Sequence, residues 1–192
     1  MRAFILTAFV LVATPALTGA APILDQQQLT VGTNNFLDCG GLAGWVCGQG
    51  FTVGISGVLT SVDLYISSVV GTLEAGLYFP PSGAFLQASS TTLNFTAAGF
   101  YTFAFSYPVT IGDRLGIGLS MDNDTEHVSL PLETNPYAAG GYFFAGHGIG
   151  GGAADDAFRT YVEAAVPEPA SLTLLGLGLA GLSARRWRQR RR

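Results

Sequence analysis

From Gln49 to Ala164 apolar and polar positions alternate in short runs separated by Gly, Pro and Asn/Asp. In Val58 to Ser67 one side reads Val58, Thr60, Val62, Leu64 and Ile66, the other Leu59, Ser61, Asp63, Tyr65 and Ser67. A period of two with one apolar side is the mark of a half-buried strand. In Thr72 to Phe79 the apolar side is Leu73, Ala75, Leu77 and Phe79. Pro80-Pro81-Ser82-Gly83 stops that run, because proline fixes φ and has no N–H for a ladder. Phe100 to Val109 sets Tyr101, Phe103, Phe105 and Tyr107 against Thr102, Ala104 and Ser106. That aromatic row is either a sugar-stacking platform or sandwich interior, and interior is favoured because aromatics dominate core burial. Ile111 to Met121, His127 to Leu132, Tyr142 to Ala145 and Ala157 to Ala164 supply further strands. No long window of helical period lies between the two termini. The pattern predicts an all-β fold, an antiparallel jelly-roll-like β-sandwich over residues 49–165. Residues 21–48, with Gln26-Gln27-Gln28 and a Gly-rich Cys loop, fit either a tether or a first strand.

Both ends break this pattern. Arg2, the apolar run Ala3 to Val12 and the small residues Thr18-Gly19-Ala20 predict an N-terminal signal helix over residues 1–20, cleaved after Ala20. At the other end stand Val166-Pro167-Glu168-Pro169, the uncharged stretch Ala170 to Ala184, and Arg185-Arg186-Trp187-Arg188-Gln189-Arg190-Arg191-Arg192. As a helix the uncharged stretch spans about 22 Å, short of the roughly 30 Å hydrocarbon core. Snorkelling Arg stems and an interfacial Trp187 make up part of the difference. The expectation is a short C-terminal transmembrane helix. Arg185, Arg186, Arg188, Arg190, Arg191 and Arg192 orient it with the tail in the cytoplasm and the body exported.

Charge sharpens the division. The 192-residue chain has a formal charge of −4 from 13 acids and 9 bases, and every base is Arg. Between residues 21 and 166 lie twelve of those acids but only Arg114 and Arg159, a formal charge of −10. Such a body is a poor match for phosphate backbones, so no nucleic-acid partner is expected.

Cys39 and Cys47, in CGGLAGWVC, are the only cysteines. An even count in an exported chain predicts a disulfide. Asp122, Asp124 and Glu126 place oxygen ligands at alternate positions, as a calcium loop would, but an EF-hand would need Gly where His127 stands. A solvated turn is the simpler reading, and no cofactor is expected unless calcium occupies this loop. Asp155-Asp156, after Gly150-Gly151-Gly152, would either add ligands or solvate a loop. No nucleophile elbow, zinc-protease pattern or P-loop occurs, so no catalytic residue and no enzyme is predicted. A glycosidase pair needs only two acids close in space, and sequence alone cannot choose one.

The C-terminal segment, residues 166–192, resembles the PEP-CTERM sorting signal of Gram-negative bacteria. It has Pro167, Glu168 and Pro169 as the motif, a short Gly- and Leu-rich helix, and the Arg cluster. The resemblance implies an exosortase-type membrane peptidase as partner. It further implies a precursor anchored in the inner membrane and then delivered to the cell surface or an extracellular biofilm matrix. The body is similar to exported β-sandwich domains of the choice-of-anchor type. The stretches that carry this are Gly50 to Gly54, Gly57 to Tyr65, Pro108 to Ile117, Asn135 to Gly141 and Phe158 to Val162. That likeness implies a jelly-roll-like fold and carbohydrate binding, while the sorting signal implies a species that makes exopolysaccharide. Together these readings predict an exported, non-catalytic protein that binds or scaffolds extracellular polysaccharide. A small glycoside-active enzyme and a purely structural matrix protein are the alternatives.

Overall fold

The computed structural model describes residues 20–33, 35–40, 44–80, 82–121, 123–134, 136–145 and 154–165, with isolated positions at 176, 178 and 179. One sheet has four strands in the order β1 (Ile23–Gln28), β13 (Phe158–Ala164), β4 (Gly57–Ile66) and β8 (Gly99–Val109). A second has five, in the order β11 (Gly141–Ala145), β3 (Val46–Thr52), β9 (Arg114–Ser120), β6 (Glu74–Phe79) and β7 (Ala84–Ala88). A smaller ladder joins β12 (Ala154–Asp155), β10 (His127–Thr134) and β2 (Asn35–Gly40), and β5 (Ser68–Val70) also pairs with β10. Every pairing is antiparallel. The pairs β1–β13, β3–β9, β4–β8 and β6–β7 are nested in sequence, each enclosing the next.

Two four-residue connections carry the chain between the larger sheets at one end, residues 53–56 from β3 to β4 and residues 110–113 from β8 to β9. They are tied together, since Val53 N–H donates to Asp113 O (2.9 Å) and Gly112 N–H donates to Val53 O (2.8 Å). Gly112 has φ +93°, a left-handed conformation that a side chain would strain.

One continuous core joins all three ladders. It takes Leu59, Val62, Leu64, Phe103 and Phe158 from the four-stranded sheet, Phe51, Leu77 and Ile117 from the five-stranded sheet, and Val128 and Leu130 from β10. Phe51 and Phe158 stack across the sandwich with ring centroids 6.1 Å apart. Burial of each such side chain is worth about 1.5–3 kcal/mol. Cys39 and Cys47 are joined in a disulfide, Cα–Cα 6.3 Å, and both are fully buried. The bridge fastens β2 of the small ladder to β3 of the five-stranded sheet.

Three details depart from simple alternation. In β4, Leu59 is fully buried together with Val62, Leu64 and Ile66. Against β13 Thr60 is an extra residue, since Tyr161 and Val162 pair with Ser61 and Leu59, whereas against β8 the extra residue lies on β8, between Ala104 and Tyr107. The Thr60 hydroxyl donates to Tyr161 O (3.1 Å), and the bulge moves Leu59 onto the core side. In β6, Phe79 is exposed and Tyr78 is buried instead. Tyr78 lies on the outer side of the five-stranded sheet, where Gly48, Gly118 and Gly76 stand in register across three strands. A Cβ at Gly118 would come within 2.4 Å of Val46 Cγ1 and 2.9 Å of Tyr78 Cε2, so glycine forms the floor on which these side chains lie. Finally, β1, β2 and β3 pair in the same ladders as the rest, which resolves the choice between tether and first strand in favour of strand.

The structure is all-β, with no helical element among the described residues. Gly176, Gly178 and Leu179 are helical but isolated. The predicted signal helix lies outside the described residues but for Ala20, as does all of the predicted transmembrane helix except those three positions. Among the described residues no helix is long and apolar enough to cross a membrane.

Candidate functional site

The aromatic row Tyr101, Phe103, Phe105 and Tyr107 faces inward. Phe103 and Phe105 are buried, and Tyr101 and Tyr107 pack against the same core. The opposite, outward side of the four-stranded sheet carries a different set. Its register aligns Gln27 of β1, Arg159 of β13, Asp63 of β4 and Thr102 of β8 in one row across all four strands. The next row is Leu24, Tyr161, Ser61 and Ala104. Period-two alternation puts these side chains outward because their neighbours Phe158, Val62, Leu64 and Phe103 are fully buried.

Asp63 is the hub. Its Oδ1 accepts from Thr102 Oγ1 (2.7 Å), and its Oδ2 accepts from Arg159 Nη1 (3.3 Å) and Tyr161 Oη (3.4 Å). The Asp63 side chain is 9% exposed while that of Arg159 is 32% exposed, so the ion pair opens to solvent on the arginine side. The guanidinium carbon lies 4.3 Å from the centroid of Phe100, a cation–π contact. Phe100 meets Tyr65 edge-on at 5.4 Å and 87°. The result is a sheet surface where partly exposed rings, a guanidinium, a phenol and a carboxylate meet on neighbouring strands. Arg N–H groups and hydroxyls donate, the carboxylate accepts and ring faces offer apolar contact, which is the combination that polyhydroxylated ligands require.

A second polar cluster is internal. Asp155 and Asp156 are both fully buried, so they do not solvate a loop. Gln49, also fully buried, donates from Nε2 to Asp155 Oδ1 (2.8 Å) and accepts at Oε1 from Asp156 N–H (2.8 Å). Asp155 Oδ2 accepts from Tyr137 N–H (3.0 Å). The Tyr137 hydroxyl accepts from Thr52 N–H (3.2 Å) and donates to Gln26 Oε1 (3.1 Å), and burial pushes its pKa up. This cluster holds β1, β3, β12 and the segment around Tyr137 in place. Burial also pushes Asp156 well above the ordinary carboxylate range.

Of the calcium candidates, Asp122 lies outside the described residues and Asp124 is exposed. Glu126 is buried, and its carboxylate accepts from the backbone N–H of Thr72 and of Asn123, both at 3.3 Å. No group of three or more His, Cys, Asp or Glu side chains placed to hold a metal occurs among the described residues. Pro167, Glu168, Pro169 and the six tail arginines lie outside the described residues. The residues that sequence reasoning missed are Asp63, Tyr65, Phe100, Thr102, Arg159 and Tyr161. One signal was available, because Arg159 is one of only two bases in the body and sits at an outward position of a predicted strand.

No curated protein and no solved structure matches the chain. The match to a known family is confined to the end of the sequence, immediately after the last strand. There, over residues 165–191, the chain carries the PEP-CTERM protein-sorting motif.

Proposed function

We propose that this chain is an exported protein, sorted by an exosortase-type membrane peptidase, whose body binds or scaffolds extracellular polysaccharide without catalysing a reaction. The sorting motif carries the first half, because it supports exosortase-dependent export and surface sorting through a membrane-anchored precursor. The order β1-β13-β4-β8 against β3-β9-β6-β7, with its nested pairs, supports a jelly-roll-like description of the body. The second half rests on the outward surface around Asp63. Its hydrogen-bonding groups are held in place by one another and flanked by Tyr65, Phe100 and Tyr161. A preset polar hub beside aromatic rings suits a sugar ring, which presents hydroxyls at its rim and C–H groups on its face. A formal charge of −10 favours neutral or cation-bridged polysaccharide over strongly anionic polymer.

The test is a glycan array and a matrix pull-down with residues 21–166, with and without calcium. Retention of a polysaccharide is expected, and Tyr161→Ala and Arg159→Ala should each weaken it about 10-fold or more. Absence of binding in both formats would overturn the polysaccharide reading and leave the sorting reading intact. Turnover of the bound glycan would favour an enzyme.

A further inference from the structure

We infer that the end of the sandwich from which the sorting segment leaves is a surface that rests on the exported-side leaflet of the bilayer in the membrane-held precursor. This rests on the reading of residues 170–184 as a membrane segment. The first observation is how little chain separates body from tail. Strand β13 runs to Ala164, and Ala165 N–H still donates to Ser56 O (3.2 Å), so the fold is fixed up to residue 165. The uncharged stretch begins at Ala170. Five extended residue steps reach less than about 20 Å, and the headgroup region on each side of a bilayer is about 5–8 Å thick. Even a fully extended tether therefore keeps this end of the body within about 10–15 Å of the headgroups, and any compaction of it brings the two into contact.

The second observation is which end is held there. Gly57 pairs with both Ala164 and Val109, so the start of β4, the end of β13 and the end of β8 lie together. Ile111 N–H donates to Ser56 Oγ (2.9 Å), which brings the 110–113 turn against the residue that holds Ala165. Ile23 pairs with Val162, so the segment preceding β1 enters at the same end. Both predicted membrane-associating segments, residues 1–20 and 170–184, thus join one end of the body.

The third observation is what that end exposes. Seven large apolar side chains of the described body are exposed, and five of them, Ile23, Leu24, Phe79, Phe85 and Ile111, lie at or within a few register positions of this end. Leu29 and Val70 lie toward the other end. Scattered exposed apolar residues are ordinary, but segregation to one end of a molecule is not. Ile111 is 67% exposed at the tip of its turn, the highest of the seven. Asp25, Asp113 and Glu163 are the acids nearby, and the first two are engaged by backbone. Asp25 accepts from Gly54 N–H (3.0 Å) and Asp113 accepts from Thr110 N–H (2.7 Å), while Arg114 is exposed beside them. Contact is therefore apolar and interfacial, and does not require anionic lipid.

The test places the full chain in phosphatidylcholine nanodiscs, with an environment-sensitive fluorophore on one added cysteine at a time: Ile111→Cys, Val70→Cys or Leu179→Cys. Quenching by nitroxide-bearing lipid is compared with quenching by aqueous iodide. Severalfold stronger lipid quenching at 111 than at 70, with strong lipid quenching at 179, is expected. Equal quenching at 111 and 70, with 179 still in lipid, would overturn the surface while preserving the membrane segment. A label at 179 exposed to iodide would overturn both.

Discussion

Asp156 is fully buried, and its Oδ1 accepts only the N–H of Ala157 (2.9 Å). Its Oδ2 has no hydrogen-bond partner among the described residues. Desolvation penalises the charged form most, and the single backbone bond offsets it only in part, so the pKa rises in the folded state. In the unfolded chain the same carboxyl titrates near the ordinary value of about 3.9. Above that pH and up to the raised folded value, the folded state holds a proton that the unfolded state has lost. Stability from this group is therefore complete below about pH 4 and falls as pH rises, by up to about 1.4 kcal/mol per pH unit inside the window. Asp156→Asn keeps an acceptor for Ala157 N–H and removes the ionisation. The variant minus wild-type difference in urea stability should be constant below about pH 4 and then grow in the variant's favour as pH rises. A difference independent of pH between 3 and 8 would show that the carboxyl is ionised in the fold. Asp155 makes the contrast, since Gln49 and Tyr137 N–H satisfy both its oxygens.

At the scale of elements, the disulfide joins strands that no backbone ladder joins to each other. β2 pairs with β10, and β3 pairs with β9 and β11. The loop it closes is short, with a sequence separation of 8, and loop-closure entropy gives about 2–3 kcal/mol. Cys39→Ala/Cys47→Ala, or reduction of the native chain, should lower unfolding stability by that amount, and no change in urea midpoint would refute it. The strands themselves were legible where one side met water. Period two located β4 and β8, whose outward residues include Ser61, Asp63, Thr102 and Ser106, and it located β6 through Leu73, Ala75 and Leu77 although the outward side of β6 carries Gly76 and the buried Tyr78. β1 was ambiguous because Asp25-Gln26-Gln27-Gln28 carries no apolar alternation, and Gln26 is fixed through the hydroxyl of Tyr137, far away in sequence. The Thr60 bulge was invisible because it belongs to the pairing with Tyr161 and not to β4 alone. The Asp63 hub was equally hidden. It is a cross-strand row from β4, β8 and β13, and nothing in one strand's pattern reveals its neighbour.

The whole molecule is best understood through its uneven charge. Its body carries −10 while residues 167–192 carry six Arg and one acid, with an uncharged stretch between the motif and the arginines. In the proposed precursor the tail arginines hold the C-terminus in the cytoplasm and so retain the body on the exported side, while the body's own acids add little to that orientation. Two sources of that retention make separable predictions. A plain anchor needs only the apolar stretch and the arginines, whereas peptidase sorting also needs Pro167, Glu168 and Pro169 to be recognised. Deleting residues 167–192 removes both, so the body should leave the surface fraction and appear free in periplasm or medium. Pro167→Ala/Glu168→Ala/Pro169→Ala removes only the motif, so a tail-bearing precursor should accumulate in the inner membrane, visible by mass and by fractionation. Ala165 is still hydrogen-bonded to Ser56, and the motif match starts at that residue, so a peptidase that cleaves at the motif would act almost against the folded body. A ten-residue Gly/Ser insertion after Ala165 should therefore leave processing intact or hasten it. Slower processing after the insertion would mean that the peptidase recognises the end of the sandwich as well as the motif. Unchanged surface delivery of the triple-Ala variant would leave the anchor alone as the explanation and remove the sorting reading.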